Sequence, residues 1–330
     1  MTSSNDLLSI VVPLFNEEGN VEELVRRVRA VMPEVRDAPR YELVLVNDGS
    51  RDGTLLRLRD LALTHHEVVV VNLSRNFGHQ IASTAGLDVA RGDAVVLMDG
   101  DLQDPPELIG AFLERWREGY DVVYAVRRTR KGEGRFKVLT ARWFYRIVRR
   151  LTNVAIPVDT GDFRLMSRRV VEALKLTRER HLFLRGLVSW VGYPQIGVEY
   201  DRDERTWGKT KYPFTKMLRF AIDGITSFSE IPLRFASYLG FAVSIISFLV
   251  ALYEIWLKLF TGYNLPGYTS TLFAILFLGG VQLIAIGMLG EYVGRIYEQV
   301  KGRPLYLIAD VIRDGELERI DPMVSVRDGG

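Results

Sequence analysis

Cysteine is absent from the 330 residues of the chain, which excludes a disulfide framework, a catalytic thiol and a zinc–thiolate site. A formal net charge of +2 is too small to indicate nucleic-acid binding by itself. The polar N-terminus, Met1–Asp6, lacks the apolar core of a signal peptide. Histidine is scarce and forms no HExxH pair, which argues against a metal site built from histidines. The four histidines are His65, His66, His79 and His181.

Charge is also missing from two long apolar runs near the C-terminus. Phe235–Tyr253 has 19 residues and Thr271–Gly290 has 20 residues, none of them charged. A helix of about 20 apolar residues is long enough to cross a bilayer. A buried helix of a soluble protein is the alternative, but two such runs close together favour membrane spans. We therefore expect a two-helix transmembrane anchor at residues 231–295.

The charges that flank the two runs predict the orientation of the anchor. Lys258 is the only base between the runs, whereas several bases precede the first run and follow the second. The excess of bases outside the pair of spans predicts that both termini are cytoplasmic. Glycines in and after the second run would permit close helix contacts, which favours a homo-oligomer such as a tetramer. The flanking bases are Lys209, Lys211, Lys216, Arg219, Arg234, Arg295, Lys301 and Arg303.

The N-terminal part of the chain alternates between short apolar runs and segments of helix length. Short runs rich in Val and Ile are typical of buried parallel strands. The segments between them, such as Glu18–Met32 and Gly53–Leu63, have apolar residues at helical spacing. This alternation predicts an α/β fold with a doubly wound sheet, whose ligands bind beyond the carboxyl ends of the strands. The predicted strands are Leu8–Leu14, Tyr41–Val46, Val68–Leu73, Ala94–Met98 and Val122–Val126.

Polar and acidic residues follow the predicted strands. Asn16 and Glu17 follow the first strand, Asp48 follows the second, and Asp99 and Asp101 follow the fourth. Carboxylates two residues apart in a tight turn can face one hard cation, and Mg²⁺ and Mn²⁺ prefer oxygen ligands. Turn and helix-cap chemistry would explain any one of these residues. Their recurrence at one sheet edge indicates a site for metal and phosphate.

Six motifs, in this order along the chain, carry a family resemblance: VVPLFNEEGN, VLVNDGSRDGT, LSRNFGHQIA, MDGDLQDPPE, TGDFRLMSR and FLGGVQLIAIGMLGEYVGRIYEQVKGRPLY. With these motifs the chain resembles the GT-A glycosyltransferases of family 2. Within that family it is similar to the membrane-anchored polyprenyl-phosphate glycosyltransferases, which include bactoprenol glucosyltransferases and dolichol-phosphate mannose synthases. The resemblance covers nearly the whole chain. It is closest to the bactoprenol glucosyltransferases, because mannose synthases often lack a two-span tail.

The resemblance implies a nucleotide-sugar site at the predicted sheet edge. Pro13, Glu17 and Asp48 match positions that hold the uridine of a UDP-sugar in the family. Asp99, the first acid of the DxD motif, and the nearby Gln103 complete the implied nucleotide-sugar site. These assignments are what the resemblance implies, and the spacing of the residues alone does not give them.

The resemblance also implies catalytic roles for Asp101 and Asp162. Asp101 would hold Mg²⁺ or Mn²⁺ together with Asp99, and Asp162 would lie near the sugar as a base or as a group that orients a substrate. Both roles of Asp162 stay open, since an acceptor phosphate with a second pKa of about 6 needs little deprotonation. Either role leads to in-line displacement at the anomeric carbon with inversion, with the metal neutralising charge on the departing diphosphate.

A strongly basic segment follows the fifth predicted strand. Residues 127–150 contain ten Arg or Lys residues and one acid, with apolar residues at helical spacing. This pattern predicts a membrane-surface helix at about 136–151, and a second is expected at about 212–228. Two spans in the same chain make nucleic acid a poor alternative partner. The candidate acceptor-phosphate ligands, each with a solvated loop as the alternative, are Arg127, Arg135, Arg205, Lys209 and Lys211.

Together these features predict a three-part inner-membrane enzyme. A cytoplasmic GT-A domain at residues 1–230 precedes the anchor at 231–295 and a cytoplasmic tail at 296–330. The reaction that the resemblance implies transfers a hexose, with glucose favoured, from a UDP-sugar to undecaprenyl phosphate and gives a β-linked lipid monophosphate sugar for cell-surface glycan modification. A mannose or aminosugar transferase is the enzymatic alternative, since a few pocket contacts decide the sugar. A scaffold or flipping partner that retains the fold is the non-enzymatic alternative.

Overall fold

The structure, a computed structural model, describes residues 6–128, 160–180, 182–200, 231–261 and 267–318. These residues fall into two compact units. The first unit is formed by described residues within 1–149, 153–212 and 303–330, and the second by those within 213–302. The expected surface helices at about 136–151 and 212–228 lie outside the described residues.

The first unit is built on one mixed sheet, which has nine strands in the described part of the chain. Their spatial order is β7-β5-β6-β4-β1-β2-β3-β8-β9. The strands are β1 Leu7–Leu14, β2 Arg40–Asn47, β3 Val68–Leu73, β4 Ala94–Leu97, β5 Val122–Arg127, β6 Thr160–Ser167, β7 Gln195–Tyr200, β8 Ile308–Arg313 and β9 Glu316–Glu318. The helices are α1 Val21–Val31, α2 Thr54–Thr64, α3 His79–Val89, α4 Leu108–Arg117, α5 Arg168–Leu176 and α6 Leu184–Trp190.

Parallel strands β4, β1, β2 and β3 form the centre of the sheet. β1 pairs in parallel with both β2 and β4, and β2 pairs in parallel with β3. Every residue of β3 and β4 is buried, as expected for strands covered on both faces. The carboxyl ends of these four strands therefore meet at one edge of the sheet. The α/β sheet and its first five strands are confirmed.

β6 is a strand that the apolar pattern did not predict. It runs antiparallel between β4 and β5 and makes the sheet mixed. Its sequence, TGDFRLMS, includes buried Asp162 and Arg164, so no continuous apolar run marks it as a strand. The buried polar groups are tolerated because they pair with each other and with neighbouring elements.

β8 and β9 come from the segment expected to form a separate tail. β8 pairs antiparallel with β3 and extends the sheet beyond it. Arg313 at the end of β8 forms a buried ion pair with Glu42 of β2, with 2.5 Å between Nη1 and Oε2. The other oxygen of Glu42 accepts a hydrogen bond from Ser9 Oγ at 2.6 Å. Residues 308–318 thus belong to the sheet of the first unit.

The second unit contains two long apolar helices, α7 Ile231–Thr261 and α8 Tyr268–Val300, which contact each other. Leu233–Leu257 and Phe273–Val300 are long and apolar enough to cross a membrane, with mean hydropathies of 2.1 and 2.2. Almost none of the described side chains in these segments is buried within the chain, and most of them are exposed. A buried core helix, the alternative considered above, would have its apolar side chains covered by the protein. The two predicted apolar helices are therefore confirmed as candidate spans.

We predict that two glycines inside helices respond with opposite sign to replacement by alanine. A Cβ at Gly86 of α3 would lie 2.3 Å from Val11 Cγ1 and 2.9 Å from Val46 Cγ2 in the sheet. Gly86→Ala should therefore lower the free energy of unfolding by about 1–3 kcal/mol through overpacking. At Gly110 of α4 the nearest atom to an added Cβ is Val35 Cγ2 at 3.8 Å. Gly110→Ala should raise the stability by about 0.5–1 kcal/mol because it restricts the unfolded chain.

Thermal unfolding of both detergent-solubilised variants, followed by near-UV circular dichroism, measures these effects. We expect a lower Tm for Gly86→Ala and a higher Tm for Gly110→Ala. Equal shifts for the two variants would contradict the close approach of α3 to β1 and β2.

Candidate active site

The turn after β2 holds the loop after β3 through the side chain of Asp48. The buried carboxylate accepts hydrogen bonds from the backbone N–H of Phe77 at 2.7 Å and of Gly78 at 2.9 Å, and from Asn76 Nδ2 at 3.0 Å. Burial raises the pKa of Asp48, and the two backbone N–H groups partly offset this effect. A Cβ at Gly49 would lie 2.4 Å from backbone atoms of this loop, and its φ is +63°. Only glycine fits there.

The turn after β1 lies next to the turn after β2. Pro13, near the end of β1, pairs with Val46 of β2. The backbone N–H of Glu17 donates to Thr54 Oγ1 at 3.0 Å, and Asn20 Nδ2 donates to Glu17 Oε2 at 2.6 Å. The structure thus places Pro13 and Glu17 at the edge where Asp48 lies.

The acidic turn, which we define as Asp99–Asp104, follows β4 at the same edge. Gln103 donates its backbone N–H to Asp101 Oδ1 at 3.1 Å. Asp99 Oδ1 is buried and accepts no hydrogen bond. Burial, opposed by His79 and reinforced by nearby carboxylates, raises the pKa of Asp99 to about 7. The turn therefore offers a buried carboxylate oxygen that is suited to a cation.

Asp162 of β6 is held by polar groups from α3, from α6 and from its own strand. Arg185 of α6 donates from Nε to Oδ1 at 2.7 Å and from Nη2 to Oδ2 at 3.1 Å. Gln80 Nε2 donates to Oδ2 at 3.2 Å, and Arg164 Nη2 lies 4.0 Å from Oδ1. Burial opposes ionisation, but His79, Arg185 and Arg164 hold the pKa of Asp162 well below its usual range. Asp162 is an ionised anchor for these groups.

His79, the first residue of α3, links the two carboxylates. Its Nε2 lies 3.3 Å from Asp99 Oδ1 and 3.5 Å from Asp162 Oδ2. The ligand-type atoms of these three residues lie within 4.8 Å of one another, as in a metal site. Burial opposes the charged imidazole, but the two carboxylates outweigh it and raise the pKa of His79. The absence of an HExxH pair therefore did not exclude a histidine from this site, because the fold brings His79 to acids distant in sequence.

Several site residues escaped sequence reasoning. His79 and Gln80 begin α3 just after the loop that follows β3, and this position at the carboxyl edge was an available signal. Arg164 and Arg185 had no comparable signal, because their importance comes from their contacts with Asp162. One further hydrogen bond joins α6 to α3, since the backbone N–H of Leu184 donates to Gln80 Oε1 at 3.1 Å.

Of the five predicted acceptor bases, only Arg127 lies among the described residues. Arg127 is the last residue of β5, where it pairs with Tyr200 of β7, and its side chain lies outside the described part of the structure. The remaining candidates, Arg135, Arg205, Lys209 and Lys211, lie outside the described residues altogether. Their role in binding a phosphate stays a prediction.

Two family models match the chain. Residues 9–175 match the model described as glycosyl transferase family 2, which spans β1 to α5 and includes the acidic turn. Residues 231–296 match the model described as the GtrB C-terminal hairpin, which covers α7 and most of α8. The first match lies within the sheet unit and ends before β7, and the second covers most of the pair of apolar helices.

Curated relatives match over almost their full length. The chain is 51% identical to an uncharacterized glycosyltransferase of Synechocystis sp. over 92% of this chain and 95% of the relative. It is 48% identical to the SfII prophage-derived bactoprenol glucosyl transferase of Shigella flexneri over 91% of this chain and 97% of the relative. Among solved structures, it is similar to mannosyl-3-phosphoglycerate synthase from Rubrobacter xylanophilus, with a TM-score of 0.48, 20% identity and coverage of 67% of this chain and 73% of that chain.

We predict that Arg185 contributes to stability through Asp162. In Arg185→Met, the buried carboxylate loses a bidentate cation, and the free energy of unfolding should fall by about 2–3 kcal/mol. The matched control is Arg115→Met, because Arg115 also pairs with a carboxylate, that of Glu118, but both side chains are about half exposed. Loss of such a surface pair should change stability by less than about 1 kcal/mol. Thermal unfolding in detergent with EDTA compares the variants, and equal losses would contradict the anchoring role of Asp162.

Proposed function

This chain belongs to glycosyl transferase family 2, and on that premise we propose that it transfers glucose from UDP-glucose to undecaprenyl phosphate. The similarity to bactoprenol glucosyl transferases carries this proposal, because it extends over 91% of the chain at 48% identity. That similarity includes the hairpin helices α7 and α8 as well as the sheet. The acidic edge of the sheet supports the enzymatic reading against a scaffold, since Asp48, Asp99, Asp101 and Asp162 are all present.

A divalent cation, Mg²⁺ or Mn²⁺, fits the acidic turn. Asp99 has a buried oxygen that accepts no hydrogen bond, and a hard cation prefers such a ligand. We propose that Asp99 and Asp101 hold the ion, with His79, Asp99 and Asp162 as the alternative ligand set. When bound, the ion would supply positive charge that stabilises the departing diphosphate.

The donor nucleotide would lie along the turns after β1 and β2. We propose that Pro13 and Glu17 line the uridine site, with Asp99 and Gln103 toward the diphosphate. Asp48 would act on the nucleotide mainly by fixing the loop after β3, since its carboxylate already accepts three hydrogen bonds from that loop. The fixed loop presents Phe77 and Gly78 at the same edge.

Asp162 would position groups in the site rather than remove a proton. Its two oxygens already accept hydrogen bonds from Arg185 and Gln80, and a carboxylate with a lowered pKa is a weak base. A phosphate acceptor supplies its own anionic oxygen. That oxygen would form a bond to the anomeric carbon while the bond from this carbon to UDP breaks, and UDP would leave with the electron pair. The inverted product is a β-linked lipid phosphate sugar.

The two apolar helices suit an enzyme that acts on a lipid. We propose an inner-membrane protein with two spans, a cytoplasmic sheet unit, both termini in the cytoplasm and a homo-oligomeric state. The domain boundaries near residues 230 and 295 belong to this proposal. The acceptor phosphate would bind to bases among Arg127, Arg135, Arg205, Lys209 and Lys211. The proposed reaction does not involve a nucleic acid.

Transfer of label from a nucleotide sugar into lipid tests the proposed reaction. The detergent-solubilised chain is incubated with radiolabelled UDP-glucose and undecaprenyl phosphate, with Mn²⁺ or Mg²⁺ or with EDTA. We expect label in the lipid phase only with the ion, and a loss of about a hundredfold or more in Asp101→Asn. Transfer from GDP-mannose or an aminosugar donor alone would keep the mechanism and replace the sugar. If no donor gives transfer and no nucleotide binds, the result would favour the scaffold.

Binding of Mn²⁺, measured by electron paramagnetic resonance, distinguishes the two ligand sets. If Asp99 and Asp101 hold the ion, Asp99→Asn and Asp101→Asn should each weaken Mn²⁺ binding by about tenfold or more, because each removes an anionic ligand. His79→Gln should then retain stoichiometric binding. The reverse pattern, with binding lost in His79→Gln and kept in Asp101→Asn, would assign the ion to His79, Asp99 and Asp162.

A further inference from the structure

The acidic turn contains one residue in a strained conformation. Leu102 has a φ of +60°, in the left-handed region that residues other than glycine, Asn and Asp rarely adopt. Its side chain is buried, and it lies between Asp101 and Gln103. Strain of this kind persists only where the surrounding structure imposes it. The contacts at the two ends of the turn must therefore hold it in shape.

The first end of the turn is held against β1. A Cβ at Gly100 would lie 2.3 Å from Leu14 Cδ2 and 3.3 Å from Val12 Cγ1. Just before the turn, Met98 donates its backbone N–H to the carbonyl oxygen of Val11 at 3.1 Å. The start of the turn thus lies directly on the buried strand.

The second end is held by Asp104 and Tyr200. Asp104 is fully buried, and its Oδ1 accepts a hydrogen bond from the hydroxyl of Tyr200 at 2.8 Å. Tyr200 is the last residue of β7, and its ring belongs to the hydrophobic core. The hydroxyl therefore fixes the end of the turn to a rigid element 96 positions away in the chain.

We propose that Tyr200 is a positioning residue for the divalent cation. Through Asp104 it holds the turn closed, so that Asp99, Asp101 and Gln103 are ordered before the ion arrives. Ligands that are already ordered bind an ion more tightly, because little conformational entropy of the backbone is then lost when the ion binds. This inference rests on the proposed function, since it assumes that the acidic turn binds the ion.

Tyr200→Phe tests the role, because phenylalanine keeps the core ring and removes only the hydroxyl. The matched control is Tyr306→Phe. Tyr306 is also buried, and its hydroxyl donates to the carboxylate of Asp88, which lies near the end of α3 opposite to His79. Both variants lose one buried tyrosine hydroxyl that binds an aspartate. The full-length protein in detergent is titrated with Mn²⁺, alone and with UDP, by electron paramagnetic resonance, and its Tm is measured with EDTA.

We expect the Kd for Mn²⁺ to rise by about tenfold in Tyr200→Phe and to stay within about twofold of wild type in Tyr306→Phe. Where transfer is measured, the Tyr200→Phe rate should recover at saturating Mn²⁺. A role in folding alone would lower the Tm and leave the Kd unchanged.

Three results would overturn the inference. If wild type binds Mn²⁺ and Tyr200→Phe binds it equally well, the positioning role fails and the proposed function stands. Equal weakening in both variants would show a general loss of stability and would also reject the role. If wild type binds no Mn²⁺, the metal part of the proposed function fails together with this inference.

Discussion

The burial of carboxylates at one edge of the sheet is the constraint on which the site depends. An ionised carboxylate removed from water costs several kcal/mol unless cations and hydrogen bonds compensate for it. For Asp162 the compensation comes from His79 and Gln80 of α3, Arg164 of β6 and Arg185 of α6. One buried carboxylate thereby fixes the relative positions of two helices and a strand. Asp48 also fixes the start of α3, because it holds the loop that leads into this helix.

Two neighbouring carboxylates in this site have opposite environments. Asp162 has hydrogen-bond donors on both oxygens, and cations hold its pKa low, whereas burial raises the pKa of Asp99, whose Oδ1 accepts no hydrogen bond. Such a difference commonly separates groups with different tasks in an active site. The arrangement suits a carboxylate that organises the protein beside one that receives a ligand. Under the proposed function, it also explains why Asp162 need not act as a base.

The sequence was sufficient for features with a local signal. The first five strands are apolar runs, and the acids after them are visible because parallel strands end at one edge. β6 was missed because its buried residues include Asp162 and Arg164, which interrupt any apolar pattern. β8 was missed because it pairs with β3 across more than 230 residues. Arg185 has its role in the site because it forms an ion pair with Asp162. The spacing of residues along a single sequence does not reveal such a contact. The roles of Arg135, Arg205, Lys209 and Lys211 remain predictions.

The return of the chain after α8 has a consequence for how the protein is organised. Residues 308–318 complete the sheet that residues 7–14 begin, so the two apolar helices are, in chain order, an insertion within the sheet unit. The buried pair of Arg313 and Glu42 makes this closure specific, since an unpaired charge at either position would be costly. β8 also covers the edge of β3, whose residues are all buried. β8 therefore contributes the buried side chains of Val311 and Ile312 to the sheet unit. The entropic cost of closing so long a loop is offset by the burial of the β3 edge.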